Sequence, residues 1–150
     1  MTREERCELA IERGYTYNPE TGKIRNRFGK ETKSIRNGYI YMGIQVKAKT
    51  YNLSGHHFAW FWVHKECDIE QLDHINGIRT DNRISNLRKV TQNENQWNRV
   101  TAKGYSWKKR DNKWEARIII NRKNKYLGCF NSEEEARKAY LEAKEKYHII

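Results

Sequence analysis

Hydrophobic and polar residues alternate along residues 38–46, which places four apolar side chains on one face of an extended chain. These side chains are Ile40, Met42, Ile44 and Val46. The pattern predicts a strand, and a second strand at about 50–53 would pair with it across a short turn. Upstream, residues 3–13 predict a short helix, and residues 15–25 predict a hairpin around a turn at 18–22.

The most apolar part of the chain lies within residues 55–64. Apolar residues follow one another without interruption from Phe58 to Val63, a run that fits a buried strand as well as a buried helix. With its flanks the segment is about ten residues long, and that length favours a helix. Its aromatic side chains are expected to pack in a core, and a platform for stacking bases is the alternative. The run is too short to span a bilayer.

A strand, a polar loop, a second strand and a helix follow one another in the middle of the chain. The first strand ends at 72–74, the loop covers 76–85, and the second strand covers 87–90. Thr91 and Glu94 have the spacing of a capping box, so a helix is expected to begin there. This order folds the helix back over the hairpin, which would bring Asn95 near Asp73.

Three short strands and a closing helix are predicted after residue 103. The strands lie at 105–108, 113–120 and 125–128, and the turns lie at 111–112 and 121–124. Ser132 and Glu135 form a capping box at the start of the helix, whose apolar residues recur at helical spacing. They are Ala136, Ala139, Tyr140, Ala143 and Tyr147. Because side chains alternate along a strand, Trp114, Ala116 and Ile118 would pack on this face, and Glu115, Arg117 and Ile119 would point away from the helix.

Charge and composition favour a polyanionic partner. The chain of 150 residues carries a net charge of +11, which points to nucleic acid or to an acidic membrane surface. An aromatic content of 12% is too high for a disordered basic tail and favours nucleic acid. Within 101–131, nine Lys and Arg stand against two Asp and Glu, so the basic excess falls on the predicted sheet.

The cysteines and the first residues of the chain indicate the cellular compartment. Cys7, Cys67 and Cys129 are widely spaced and form no Cys-x-x-Cys pair, so neither a disulfide framework nor a structural zinc site is expected. The chain begins with charged residues and lacks an apolar signal region. These features predict a soluble intracellular protein.

Asp73, His74 and Asn95 form the combination of side chains that a one-metal nuclease uses. A carboxylate and an amide oxygen suit a hard divalent cation such as Mg²⁺. The imidazole of His74 can take a proton from water near pH 7. We therefore predict His74 as the general base, Asp73 and Asn95 as metal ligands, and Asn86 as the amide that holds the loop and orients the His74 ring. Each residue alone is typical of a surface, turn or capping position, and only their order together favours a nuclease.

Residues from about 15 to 99 resemble the HNH endonucleases of phages and mobile elements. The matching segments are 55–60, 72–77, 80–88 and 93–96. The resemblance implies a ββα-metal fold in which His74, Asn86 and Asn95 are the three signature residues and Asp73 is a metal ligand. It also implies products with 5′-phosphate and 3′-hydroxyl ends.

Two features distinguish the chain from many members of that family. Asn95 stands where many members have His, and the chain lacks the Cys pairs that bind structural zinc. Both features favour Mg²⁺, with Mn²⁺ as the second choice, over Zn²⁺. His56 matches a histidine that is common in the same branch, and both core packing and a phosphate contact stay open for it.

Residues of about 103–147 resemble the DNA-binding domain of plant apetala-two and ethylene-response factors. That domain is a three-stranded sheet packed on one helix, and its sheet contacts the major groove. The corresponding face here, with Lys113 added for its charge, comprises Lys103, Ser106, Lys108, Arg110, Lys113, Arg117, Ile119 and Tyr126. Several of these differ in type from the family, so its base specificity does not transfer. Phosphate contacts are expected from Lys108, Arg110, Lys113 and Arg117, and a solvated basic sheet is the alternative.

The sequence thus predicts an α+β protein of two domains. An HNH domain with an N-terminal β-rich region would cover 1–99, and an apetala-two-like domain would cover 103–150. The expected function is metal-dependent cleavage of double-stranded DNA, by nicking or by double-strand cleavage, as a free-standing homing-type nuclease. It would act as a monomer or homodimer, away from membranes, in the cytoplasm or nucleoid of a bacterial host. The alternatives are a DNA-binding regulator with an inactive nuclease scaffold and a nuclease that acts on RNA.

Overall fold

The computed structural model describes residues 1–97 and 103–148, and most of the linker predicted at 99–104 lies outside them. The chain divides into two compact units, Met1–Thr91 and Gln92–Ile150. Helices and strands are both present, which confirms the prediction of a mixed α and β protein. Within the described ranges, no helix combines the length and the apolar character needed to cross a membrane.

The first unit begins with helix α1, Arg3–Glu12, whose N-terminus is closed by a capping box. The hydroxyl of Thr2 accepts a hydrogen bond from the Glu5 amide at 3.1 Å, and the Glu5 carboxylate accepts one from the Thr2 amide at 2.7 Å. Strands β1, Thr16–Tyr17, and β2, Ile24–Arg25, then pair as the predicted hairpin.

An antiparallel sheet of three strands carries the alternating pattern. The strands are β3, Ile35–Arg36, β4, Tyr39–Val46, and β5, Lys49–Ser54, in that order across the sheet. Met42 and Ile44 of β4 are buried because the apolar face of this strand covers the core. The sequence did not predict β3, since its two residues are both exposed and too few to show a period.

Helix α2, Gly55–His64, supplies the bulkiest side chains of the same core. Phe58 is fully buried, and the helix prediction for this apolar run is confirmed over the strand alternative. Strands β6, Gln71–His74, and β7, Leu87–Val90, follow and pair antiparallel. The loop between them ends in a short 3₁₀ helix, Ile84–Asn86.

The second unit contains two helices and an antiparallel sheet. They are α3, Gln92–Trp97, β8, Tyr105–Lys108, β9, Lys113–Ile120, β10, Lys123–Phe130, and α4, Glu133–Tyr147. Strand β9 lies between β8 and β10, and Ile118 of β9 packs against Tyr140 and Ala143 of α4. Gly104 must be a glycine, because its φ is +67° and a Cβ there would lie 2.0 Å from the Tyr140 ring.

The turn between β9 and β10 is shorter than the four residues predicted. Asn121 and Arg122 alone make the turn, with φ values of 49° and 64°. Two successive residues in the left-handed region are the mark of a tight hairpin turn whose twist matches that of the strands. Lys123 therefore already pairs with Ile120, and β10 begins earlier than the sequence predicted.

Candidate active site

Asp73 is held in place by an arginine on the neighbouring strand. Strand pairing sets Asp73 of β6 opposite Arg88 of β7. The Arg88 side chain donates two hydrogen bonds to Asp73 Oδ2, from Nε at 3.1 Å and from Nη2 at 2.9 Å. Asp73 is buried, so this charged partner offsets the cost of removing a carboxylate from water. Arg88 is not among the predicted site residues, although the sequence places it in the same predicted hairpin.

His74, the last residue of β6, is also buried, and a second amide orients its ring. Nε2 of His74 lies 3.0 Å from Oδ1 of Asn82. Because an amide oxygen only accepts hydrogen bonds, this contact assigns the proton to Nε2 and the lone pair to Nδ1. Burial lowers the pKa of His74, and the Asn82 hydrogen bond opposes that shift. The imidazole is thus neutral near pH 7, as a general base must be.

Asn86 organises the loop that carries Asn82. Its Oδ1 accepts a hydrogen bond from the Asn76 amide at 3.0 Å, and its Nδ2 donates to Asn76 Oδ1 at 3.0 Å and to the Asp81 carbonyl at 2.8 Å. Arg83 adds two hydrogen bonds to the Asp81 carboxylate, from Nε at 2.8 Å and from Nη2 at 2.6 Å. The sequence-based prediction gives the Asn86 amide two roles, which are to hold the loop and to orient the His74 ring. The hydrogen bonds of the Asn86 side chain lie inside the loop, and Oδ1 of Asn82 is the amide oxygen within hydrogen-bond distance of His74 Nε2.

The hairpin of β1 and β2 contacts the same loop and holds its backbone in place. The Tyr17 hydroxyl donates a hydrogen bond to the Asn82 carbonyl at 2.6 Å, and the Ile84 amide donates to the Pro19 carbonyl at 3.1 Å. A Cβ at Gly22 would lie 2.5 Å from the backbone nitrogen of Arg83, so only glycine lets the two segments approach this closely. The orientation of His74 therefore depends on residues far from it in sequence.

Two aromatic rings lie close to His74, one from α2 and one from β4. Its ring centroid lies 5.5 Å from that of His56 and 5.9 Å from that of Tyr39. The ring centroids of His56 and His57 lie 4.3 Å apart, and the two rings are tilted relative to each other. Burial, together with the neighbouring imidazoles, lowers the pKa of His56 to about 2, and burial lowers the pKa of His57 to about 4. The imidazoles of His56 and His57 are therefore neutral near pH 7 and add no charge beside His74.

Asn95 lies on α3 in the second unit and is half-buried. Its pairing with Asp73 as a metal ligand stays a prediction. Within the described residues, no group of three or more His, Cys, Asp and Glu side chains is placed to hold a metal ion. The predicted site is of another kind, since it combines one carboxylate with one amide.

The predicted DNA face lies on the sheet of the second unit. The side chains exposed there are Lys103, Ser106, Arg110, Lys113, Arg117, Ile119 and Tyr126, and Lys108 is half-buried. Arg117 is the cross-strand partner of Tyr126, and both lie on the face turned away from α4. The alternation also places Glu115 on this face, and its carboxylate, which is not among the predicted DNA contacts, is buried there.

Part of the chain is similar to known nucleases. A family profile described as HNH endonuclease matches residues 56–97, a segment that contains Asp73, His74, Asn82 and Asn86. Among solved structures, the chain is similar to the HNH homing endonuclease I-HmuI, in a structure that describes DNA binding and cleavage by that enzyme. The two share 25% identity over 75% of this chain and 70% of the other, with a TM-score of 0.48. No curated protein matches the chain. Residues 56–97 are thus an HNH endonuclease domain, and the chain is a nuclease.

Proposed function

We propose that the chain is a metal-dependent DNA endonuclease that hydrolyses one phosphodiester bond per active site. The observation that carries the proposal is a buried imidazole next to a buried carboxylate at the end of one strand, His74 and Asp73. Asn82 fixes the orientation of the first and Arg88 that of the second. A base and a charged oxygen ligand are thereby held ready before any substrate binds.

His74 acts as the general base in this proposal. With the proton of Nε2 directed at Asn82, Nδ1 is the nitrogen that accepts a proton from the attacking water. The water oxygen bonds to phosphorus as the 3′ oxygen leaves with its bonding electrons and takes a proton from solvent. The nearby charge of Asp73 favours the imidazolium that forms. The products carry a 5′-phosphate and a 3′-hydroxyl.

The donor set fits a hard divalent cation. Asp73 would supply a carboxylate oxygen and Asn95, placed in the set by sequence alone, an amide oxygen, which are the ligands that Mg²⁺ and Mn²⁺ prefer. Both hydrogen bonds from Arg88 go to Oδ2 of Asp73 and so hold that oxygen in place. When bound, the cation supplies charge stabilisation at the phosphate and at the leaving oxygen.

Duplex DNA is the proposed substrate, and the apetala-two-like sheet is its proposed anchor. Exposed basic residues such as Arg110 and Lys113 would contact phosphates, which attract a protein independently of sequence. Because the sheet and the nuclease domain are on one chain, binding by the sheet raises the effective concentration of DNA at the active site. One active site cuts one strand, so a double-strand break requires a second protomer or a second event.

A plasmid assay with Mg²⁺ tests the proposal. Supercoiled plasmid is expected to become nicked, and excess EDTA is expected to abolish nicking because the divalent cation is removed. Analysis of the new ends should show a 5′-phosphate and a 3′-hydroxyl. Cleavage that persists in EDTA, or ends that carry a 3′-phosphate, would contradict the mechanism. A parallel assay on structured RNA tests the choice of DNA as substrate.

The role of Asn82 gives a second prediction. Asn82→Ala removes the acceptor that orients His74, and nicking should slow by roughly 10-fold to 100-fold, the usual effect of losing an orienting partner. Asn82→Asp keeps an acceptor oxygen and should restore part of the rate. Asn131→Ala, at an exposed position near the start of α4, serves as the matched control. Equal rates for parent and Asn82→Ala would show that Asn82 does not set the ring orientation.

A further inference from the structure

A buried carboxylate lies in the middle of the basic sheet. Glu115 belongs to the face of β9 that points away from α4, yet its side chain is only 9% exposed. Lys108 Nζ contacts its Oε2 at 2.9 Å, and Arg117 Nε contacts its Oε1. The Lys108 hydrogen bond lowers the pKa of Glu115, so the residue is ionised. Both oxygens therefore have cationic partners, and the carboxylate is engaged rather than available to a ligand.

The ion pair with Glu115 restricts the orientation of the Arg117 side chain. Within the described residues, the Arg117 side chain makes its ion pair through Nε, and 53% of the side chain is exposed. A guanidinium held at Nε has its two terminal nitrogens left as a planar pair of donors. Fixing the side chain in this way also reduces the conformational entropy that binding would otherwise cost. The result is a planar pair of nitrogen donors held on an exposed face of the sheet.

The charges of this cluster fit base recognition better than phosphate attraction. Glu115 offsets one of the two positive charges of Lys108 and Arg117, and Lys108 is further engaged by Asp111 at 3.2 Å. A carboxylate placed among phosphate-binding side chains would repel the DNA backbone. Nearby, Ile119 is 55% exposed, and an apolar side chain has no use for a phosphate. Base edges in the major groove offer both hydrogen-bond acceptors and apolar methyl groups.

We propose that Arg117 reads a guanine in the major groove of duplex DNA and that Glu115 is the positioning residue that aims it. Guanine presents O6 and N7 as adjacent acceptors, and the terminal nitrogens of an arginine donate to both at once. This inference rests on the proposed DNA-binding function of the sheet. It replaces the sequence-based expectation of a phosphate contact at Arg117 with a contact that carries sequence preference.

Selection of bound sequences from a random duplex library, with the full chain in EDTA to prevent cleavage, tests the inference. The parent should select a guanine at one position, and replacing that guanine by adenine should raise its Kd roughly tenfold or more. Substitution by 7-deazaguanine, which removes N7 alone, should raise the Kd less than substitution by adenine does. Arg117→Lys keeps the positive charge but cannot make the planar two-point contact, so it should lose the preference for guanine while keeping affinity for random duplex.

Two further variants separate the inference from the function on which it rests. Glu115→Gln should weaken the guanine preference without weakening binding to random duplex, because a repulsive charge is removed. Lys113→Ala, on the same face, should weaken binding to all duplexes equally. Two outcomes would contradict the guanine contact while leaving DNA binding by the sheet intact. In the first, Arg117→Lys retains the full preference for guanine. In the second, Arg117→Ala weakens binding to the same extent on duplexes that contain guanine and on duplexes that contain 7-deazaguanine. If neither Arg117→Ala nor Lys113→Ala affects binding, the sheet is not the DNA anchor, and both proposals fail.

Discussion

His74→Ala is expected to slow plasmid nicking by roughly 10²-fold to 10⁴-fold, about 3–5 kcal/mol of transition-state stabilisation. The variant loses the nitrogen that takes the proton from water, whereas Asp73 and its Arg88 partner stay in place. The rate should be measured under single-turnover conditions with saturating Mg²⁺, so that the chemical step is observed. Affinity for uncut duplex DNA, measured in EDTA, should be unchanged.

A matched histidine variant controls for the loss of an imidazole. His64→Ala, at the exposed end of α2, should nick at the parental rate. Because His74 is buried, thermal unfolding of His74→Ala must also be compared with that of the parent. A folded His74→Ala protein that nicks as fast as the parent would end the assignment of His74 as the base.

Asp73→Asn should have the second-largest effect. The substitution keeps the shape of the side chain but removes the charge that would bind a divalent cation, and several kcal/mol of charge stabilisation correspond to a loss of roughly 10²-fold or more. The half-maximal Mg²⁺ concentration should also rise. Since Arg88 loses its anionic partner, the free energy of unfolding should fall by about 1–3 kcal/mol.

Asp68→Asn is the control, because Asp68 is exposed and precedes β6 in the same unit. It should leave the nicking rate, the Mg²⁺ dependence and the unfolding temperature unchanged. If Asp73→Asn shows lower stability but the parental rate and the parental Mg²⁺ dependence, then Asp73 is a partner for Arg88 and not a metal ligand.

Long periodic segments were predictable because one physical cause dominates each of them. The alternation at 38–46 gave β4, and the length of the apolar run gave α2. The short strand β3 was not predictable from the sequence, because its two residues are too few to show a period. The turn after β9 was predicted too long, because an arginine at positive φ, as at Arg122, is not expected from residue type.

The candidate site was predictable in its residue types but not in its internal contacts. Asp73 and His74 were identified from their chemistry and from the family resemblance. The choice between Asn82 and Asn86 as the partner of the His74 ring depends on the path of a polar loop, and polar residues in a loop carry no periodic signal. Only the hydrogen bonds of the folded loop distinguish the residue that touches the ring from the residue that holds the loop.

The brace between the first hairpin and the loop has a practical consequence for handling the protein. Tyr17 and Pro19 hold the backbone around Asn82, and Gly22 lets the hairpin approach. An inserted peptide or a fluorescent label at the tip of that hairpin would displace the loop and change the rate of cleavage without touching His74 or Asp73. Under the proposed function such a modified protein would still bind DNA, and its slow cleavage would resemble the effect of a damaged catalytic residue.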